Sequence, residues 1–242
     1  MSHTLFISDL HLCSTQPRVT ELFLQFARDI APKADSLYIL GDLFEYWIGD
    51  DDLADPFNHN IAQTLRKISD GGVKLYFMHG NRDFLLGEKF AAACGAKLLS
   101  DPLLIDLHGT PTLLTHGDAL CTDDTEYQAF RKQVRDPEFQ KQFLAKPLSE
   151  RKATVEKMRA QSEQSKKIKS MGIMDVTESA VHDLLRQYKY PRLIHGHTHR
   201  PALHRHHVDG KTCERFVLKD WNETGGYLRC DASGCSALKL NK

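Results

Sequence analysis

The chain has 242 residues, 41% of them hydrophobic, and its 32 lysines and arginines balance its 32 aspartates and glutamates. That length suits one sizeable domain able to bury a full core without staples. Zero net charge gives no global field for nucleic acid. No stretch approaches the ~20 apolar residues of a membrane-spanning helix.

The opening segment MSHTLFISDLHL has no basic stretch ahead of its short apolar run and turns polar at Ser8-Asp9. It reads as a strand, Leu5-Phe6-Ile7, and not as a secretory leader. Val19, Leu22, Phe23, Phe26 and Ile30 recur at helical spacing over 17–31, with Pro17 near the start. Leu37 to Leu40 forms a second strand, ending in Gly41-Asp42. Phe57, Ile61, Leu65 and Ile68 predict a helix over 57–70, stopped by Gly71-Gly72. Val73 to Met78 is a third strand, and a short helix follows near Glu88 to Ala93. Short strands fill 97–115 and end at His116-Gly117-Asp118. Residues 122–172 differ: they are helical and charged, with twelve Lys/Arg against five Asp/Glu between Arg131 and Lys169. This excess leaves the rest of the chain acidic. The stretch reads as a helical insertion, or lid, in a core made of 1–121 and 173–242. A helix near 177–188, a strand at Leu193-Ile194 and β-like segments at 215–218, 227–230 and 237–240 complete the pattern. The six cysteines (Cys13, Cys94, Cys121, Cys213, Cys230, Cys235) are scattered without a C-x-x-C pair, so reduced thiols in a cytoplasmic protein are expected.

Five polar clusters follow apolar runs: Asp9-x-His11, Gly41-Asp42, Gly80-Asn81-Arg82-Asp83, His116-Gly117-Asp118 and Gly196-His197-Thr198-His199. Strand ends in an α/β sheet share one edge, so these clusters can converge. Carboxylate, imidazole and amide oxygen without thiolate suit hard and borderline ions such as Mn²⁺, Fe²⁺, Zn²⁺ or Mg²⁺. Seven donors exceed one ion's needs but fit two ions sharing a carboxylate, an arrangement that activates water against phosphorus. Each cluster alone has an ordinary structural explanation; five in series, each after a strand, do not.

SDLHL, GDLFEYWIGDD, HGNRD, HGD and HGHTHRP resemble the motifs of calcineurin-like metallophosphoesterases. The resemblance implies a four-layer αββα sandwich of two mixed sheets. It places Asp9, His11 and His199 on one metal, Asn81, His116 and His197 on a second, and Asp42 between them. The family often has a histidine after the asparagine, where this chain has Arg82. A phosphate clamp fits arginine better than proton donation does. The longer forms YILGDLFEYWIGDD, MHGNRDFL, HGDALCTDD, IMDV and LIHGHTHRPA, and the insertion itself, resemble the branch that hydrolyses UDP-2,3-diacylglucosamine in lipid A synthesis. That branch implies two Mn²⁺ ions and water attack at the α-phosphorus, giving UMP and 2,3-diacylglucosamine 1-phosphate. The implied catalytic group is Asp42, Asn81, Arg82 and His116. Implied substrate contacts are Asn81, Arg82, Asp124, Ser162, Lys166, Lys169 and His197, with Lys166 where the family can have an uncharged polar residue. The implied setting is a monomer at the cytoplasmic face of the inner membrane, its basic insertion against anionic lipid and no nucleic acid bound. A dinuclear enzyme for another phosphoester, or a non-catalytic scaffold, is the alternative.

Other residues carry their own expectations. Trp47 is expected to wall the cleft, and Asp50, Asp51 and Asp52 to form a solvated loop. His79 and His195 are expected to be structural. His204, His206 and His207, ahead of an Asp209-Gly210 turn, are expected to be exposed and not a third metal site. Asp118 orients a ligand or caps a turn. Phe130, Val134, Phe139 and Phe143 either line an acyl groove or pack the insertion onto the core.

Overall fold

Two mixed sheets pack face to face in the computed structural model, which describes residues 2–168, 175–222 and 224–240, the side chains of 159–168 excepted. The first sheet has the order β11-β10-β1-β2-β3-β4 and the second β5-β6-β7-β9-β8. In the first, β1 (Thr4–Ile7), β2 (Ser36–Leu40), β3 (Lys74–Met78) and β4 (Ala96–Leu99) run parallel, while β10 (Gly226–Asp231) and β11 (Gly234–Lys239) are antiparallel additions. In the second, β5 (Leu103–Leu107) pairs antiparallel with β6 (Thr110–Leu114). The parallel set β6, β7 (Arg192–His195) and β9 (Lys211–Val217) follows, and β8 (Ala202–Val208) closes the edge antiparallel to β9.

Burial on both faces explains why the central strands are apolar runs and not alternating ones. Leu5, Ile7, Leu37, Ile39, Leu75 and Phe77 face α1 (Pro17–Asp29), α2 (Pro56–Asp70) and α3 (Glu88–Cys94). Their neighbours Phe6, Leu40 and Met78 face the second sheet, meeting Leu114, Ile194 and Phe216. On the far side, α7 (Glu178–Gln187) sets Val181 and Leu185 against Leu113 and Leu193. The result is a four-layer αββα sandwich. Burying each of the fully covered Phe23 and Phe26 of α1 contributes about 2–3 kcal/mol.

Between β6 and β7 the chain makes α4 (Thr125–Val134), α5 (Pro137–Leu144) and α6 (Leu148–Ile168). Asp124 and Asp136 cap the first two through their side chains. Val134 is buried and Phe143 packs against the first core, so these two serve packing. Phe139 stacks on Phe143.

Several expectations need correction. Trp47 is 2% exposed, packed on Phe44 and Phe90, and is a core residue and not a cleft wall. The acidic run is a 3-10 turn, Asp50–Ala54, and not a solvated loop. Asp50 accepts from Trp47 Nε1 (3.0 Å) and from the N–H groups of Gly87 (2.9 Å), Lys89 (2.9 Å) and Phe90 (3.1 Å), closing the start of α3. Asp51 pairs with buried Arg151, and Asp52 is buried with Lys152 2.9 Å away. These bonds tie α6 to the core. His204–His207 belong to a strand, β8, whose polar alternation hides it from an apolar-run search. Its turn is as expected, with Asp209 (φ 50°) and Gly210 (φ 76°) closing the hairpin. Cys230 and Cys235, opposite each other in the β10–β11 register, form a disulfide and are not free thiols.

Asp50→Ala leaves three backbone donors and an indole N–H unanswered. The expected outcome is a loss of about 2–3 kcal/mol in urea unfolding, with metal content unchanged.

Candidate metal centre

Parallel register fixes where the five clusters meet. Ile7 lies opposite Ile39, and Leu40 opposite Met78, so Asp9, Asp42 and Asn81 leave adjacent strands at one edge. Leu114 lies opposite Ile194, which brings His116 and His197 to the same edge of the second sheet. All seven expected donors and Arg82 come together there.

The donors form two groups. His11 Nε2 and His199 Nε2 face each other at 3.4 Å, and Asp9 Oδ1 lies 3.5 Å from His199 Nε2. Asn81 Oδ1 sits 2.9 Å from His116 Nε2 and 2.8 Å from His197 Nδ1. Asp42 stands between them, with Oδ2 3.8 Å from His11 Nε2 and Oδ1 3.8 Å from His116 Nε2.

Outer contacts aim these atoms inward. His116 Nδ1 donates to Leu40 O (2.8 Å), His11 Nδ1 lies 3.1 Å from the Glu45 carboxylate, and His199 Nδ1 lies 3.7 Å from Asp220. A hydrogen-bond acceptor on Nδ1, as Leu40 O is for His116, leaves the Nε2 lone pair for a metal. Asp9 Oδ2 accepts from Ser8 Oγ (2.5 Å) and His197 N (2.9 Å), while its buried Oδ1 has no hydrogen-bond partner among the described residues. The donor set therefore fits cations: opposed imidazole nitrogens, an orphaned carboxylate oxygen, and a second carboxylate reaching both groups.

Two glycines show how tightly the loops close. A Cβ on Gly80 would overlap the Asp42 carboxylate, and one on Gly196 would overlap Asp9 Oδ2. Asp83, buried, accepts from the N–H groups of Leu43 (2.8 Å), Gly80 (2.8 Å) and Asp42 (3.3 Å), and so holds the second and third loops together.

Arg82 donates its backbone N–H to Asp42 Oδ1 (2.8 Å), and its guanidinium lies 4.0 Å from Glu45. Its Nε is buried without a hydrogen-bond partner among the described residues, as an anion-binding group would be. Asp124 sits at the foot of α4, where its carboxylate accepts from Tyr127 N. Lys169 lies outside the described residues, as do the side chains of Ser162 and Lys166. His79 and His195 are bound to backbone carbonyls, Leu86 O and Gly196 O, away from the donor groups.

Four participants escaped the motif reading. Glu45 and Asp220 are carboxylates beside donor histidines; Glu45 follows Asp42 by three residues, a spacing that was a usable signal. Tyr127 stacks on His197 at 5.7 Å, and Arg131 reaches Asp118. Neither carries a local motif.

A family model for calcineurin-like phosphoesterases matches residues 2–201. The chain belongs to this family. Its members are metal-dependent phosphoesterases, and the fold and the donor pattern above are those of such an enzyme. A UDP-2,3-diacylglucosamine hydrolase of Aromatoleum aromaticum is 53% identical over 95% of this chain and 94% of its own length. One of Stenotrophomonas maltophilia is 51% identical over 96% of each. Among solved structures, an archaeal phosphodiesterase covers 98% of this chain and 99% of its own, with a TM-score of 0.49 and 11% identity.

Charge among the donors sets a pH dependence for metal binding. Burial works to lower the pKa of His116, but the Asp42, Asp118 and Asp9 carboxylates outweigh it and push it up to about 9. At neutral pH an incoming cation must displace that proton, so affinity should rise with pH up to about 9. Below that, metal affinity measured by titration calorimetry is expected to fall about tenfold per pH unit. Affinity independent of pH between 6.5 and 8.5 would contradict this.

Proposed function

We propose that this chain hydrolyses the pyrophosphate bond of UDP-2,3-diacylglucosamine by water attack at the α-phosphorus, giving UMP and 2,3-diacylglucosamine 1-phosphate. The observation that carries this reading is a complete seven-donor set in a chain half-identical, over nearly its whole length, to hydrolases of that name.

In this reading Asp9, His11 and His199 would hold one ion, Asn81, His116 and His197 would hold the other, and Asp42 would serve both. Manganese is the ion that the family resemblance implies; carboxylate, imidazole and amide oxygen donors also accept Fe²⁺, Zn²⁺ and Mg²⁺. Two such ions, when bound, supply Lewis acidity and make water available as a nucleophile near neutral pH.

The remaining work falls to the protein. Arg82 clamps the phosphate oxygens and neutralises charge as the P–O bond breaks. Its backbone bond to Asp42 keeps the clamp in register with the bridging carboxylate. Tyr127, lying over His197, covers the site from the insertion side and excludes water from that face. Asp124, Ser162, Lys166 and Lys169 are the further substrate contacts that this reading implies.

The basic excess of the insertion suits an anionic lipid surface, and no helix among the described residues is long and apolar enough to cross a membrane. We therefore place the enzyme peripherally at the cytoplasmic face of the inner membrane. Each chain carries the whole donor set, so a monomer suffices.

Incubation with Mn²⁺ and UDP-2,3-diacylglucosamine in ¹⁸O-water should yield UMP carrying the label, read by mass spectrometry. Label in the sugar phosphate would overturn the point of attack, and equal turnover of a deacylated substrate would overturn the substrate. Asp42→Ala should abolish turnover and lose bound metal while the chain stays folded. Arg82→Ala should lower kcat by about 10²–10³-fold with the melting temperature unchanged; equal loss of both would sink the clamp role.

A further inference from the structure

On the outer face of the second sheet, α7 lies beside β8, away from the strand-end centre. Glu178 and His182 are one helical turn apart, so their side chains share a face. The His182 Nε2 atom lies 3.6 Å from the Glu178 carboxylate, too far for a hydrogen bond. His206, from the middle of β8, meets the His182 ring edge-on at 5.4 Å and 85°. One donor atom from each of the three lies within 4.8 Å of the other two.

A second observation singles this cluster out. His182 Nε2 is buried and has no hydrogen-bond partner among the described residues. A buried ring nitrogen left unpaired costs about 1–3 kcal/mol. The frame around it is rigid, since Val181 and Leu185 of α7 pack on Leu193 and Cys213.

We propose that Glu178, His182 and His206 form a further metal site, for a borderline divalent ion such as Zn²⁺, Ni²⁺ or Cu²⁺. Two imidazoles and one carboxylate favour these ions over Mg²⁺ or Ca²⁺. Three protein donors leave coordination positions open, so the site is an accessible one and not a closed structural one.

Arg215 sets the terms of occupancy. Its Nε donates to His206 Nε2 (3.0 Å), and its NH1 donates to His195 Nε2 (3.0 Å). With Nε2 as an acceptor, the His206 ring is neutral and carries its proton on Nδ1. An arriving ion either takes Nε2 from Arg215 or displaces the Nδ1 proton to solvent. Either exchange, together with the nearby guanidinium charge, makes binding weaker than at the carboxylate-rich strand-end centre. Occupancy is thereby linked through Arg215 to His195, two residues before His197. His204, two residues back on the same strand face, lies 6.4 Å from His206 and offers a further imidazole at the rim.

The test counts zinc. Full-length protein is equilibrated with Zn²⁺, passed through a desalting column and assayed by mass spectrometry. The wild type should hold one zinc per chain more than Glu178→Gln or His182→Gln. Glu178 is 79% exposed, so its glutamine variant keeps the fold. In an Asp42→Asn background, which weakens the strand-end centre, adding His182→Gln should again lower the zinc by one per chain. Equal zinc in the wild type and both single variants, each with native circular dichroism, would overturn the proposal. So would a zinc content in the Asp42→Asn background that His182→Gln leaves unchanged.

Discussion

Five of the seven donor residues stand in the left-handed region of backbone space: Asp9 (φ 55°), His11 (φ 51°), Asp42 (φ 52°), His197 (φ 70°) and His199 (φ 55°). Each such residue costs on the order of 1 kcal/mol, less for aspartate and histidine than for branched side chains. Together they claim a sizeable part of a domain's usual net stability of about 5–15 kcal/mol. The loops keep these conformations only because the surrounding structure over-determines them. Backbone bonds from Asp9 N to Gly41 O, His11 N to Asp42 O, Gly196 N to His116 O and Trp221 N to Asp9 O lace the loops of both sheets together. Asp83 adds three more bonds from beneath. The strain is thus confined to the strand ends, where the sandwich beneath them can bear it.

This constraint explains the motif spellings. Glycine stands beside four of the seven donors, Asp42, Asn81, His116 and His197, and close approach requires it at Gly80 and Gly196. The donor positions themselves want residues that tolerate positive φ, and aspartate and histidine satisfy both that demand and metal chemistry. A sequence obeying two constraints at once is easy to recognise, which is why the strand ends and the seven residues that converge there were legible from residue types alone. The αββα arrangement was legible too, through resemblance, since apolar runs such as Leu37–Leu40 say that a strand is buried but not which sheet it joins.

Other features depended on contacts distant in sequence. Trp47 follows Asp42 closely, yet its side chain turns into the core because Phe44 and Phe90 receive it and Asp50 accepts its indole N–H. The acidic run looked solvated because nothing local neutralises it. Its partners are Arg151, Lys152 and three backbone donors around Gly87, up to 100 residues away. β8 was missed because an edge strand needs only one buried face, and His204, Arg205, His206 and His207 carry no apolar signal. The Cys230–Cys235 pairing becomes visible only once the β10–β11 register is known.

Asp118 shows where a boundary drawn from composition differs from a mechanical one. Charge density changes near residue 122, and the run of basic residues begins at Arg131. Yet the buried Asp118 carboxylate accepts from Tyr127 Oη (2.8 Å) and Arg131 Nε (2.8 Å), and its carbonyl accepts from Gln128 (2.8 Å). Arg135, one turn further along, donates to Gly80 O (2.9 Å) in the loop that carries Asn81. Burial alone would raise the Asp118 pKa, but His116, His197 and Arg131 hold it well below the usual carboxylate range, so it stays charged. Loss of one partner from a buried pair of this kind is costly, because the remaining charge is left uncompensated. The first helix of the basic segment is therefore bolted to the loops bearing His116 and Asn81, with Tyr127 laid over His197. Any motion of the segment relative to the metal centre must take place beyond α4, since moving α4 itself would strip a buried carboxylate of its partners and disturb two of the donor loops.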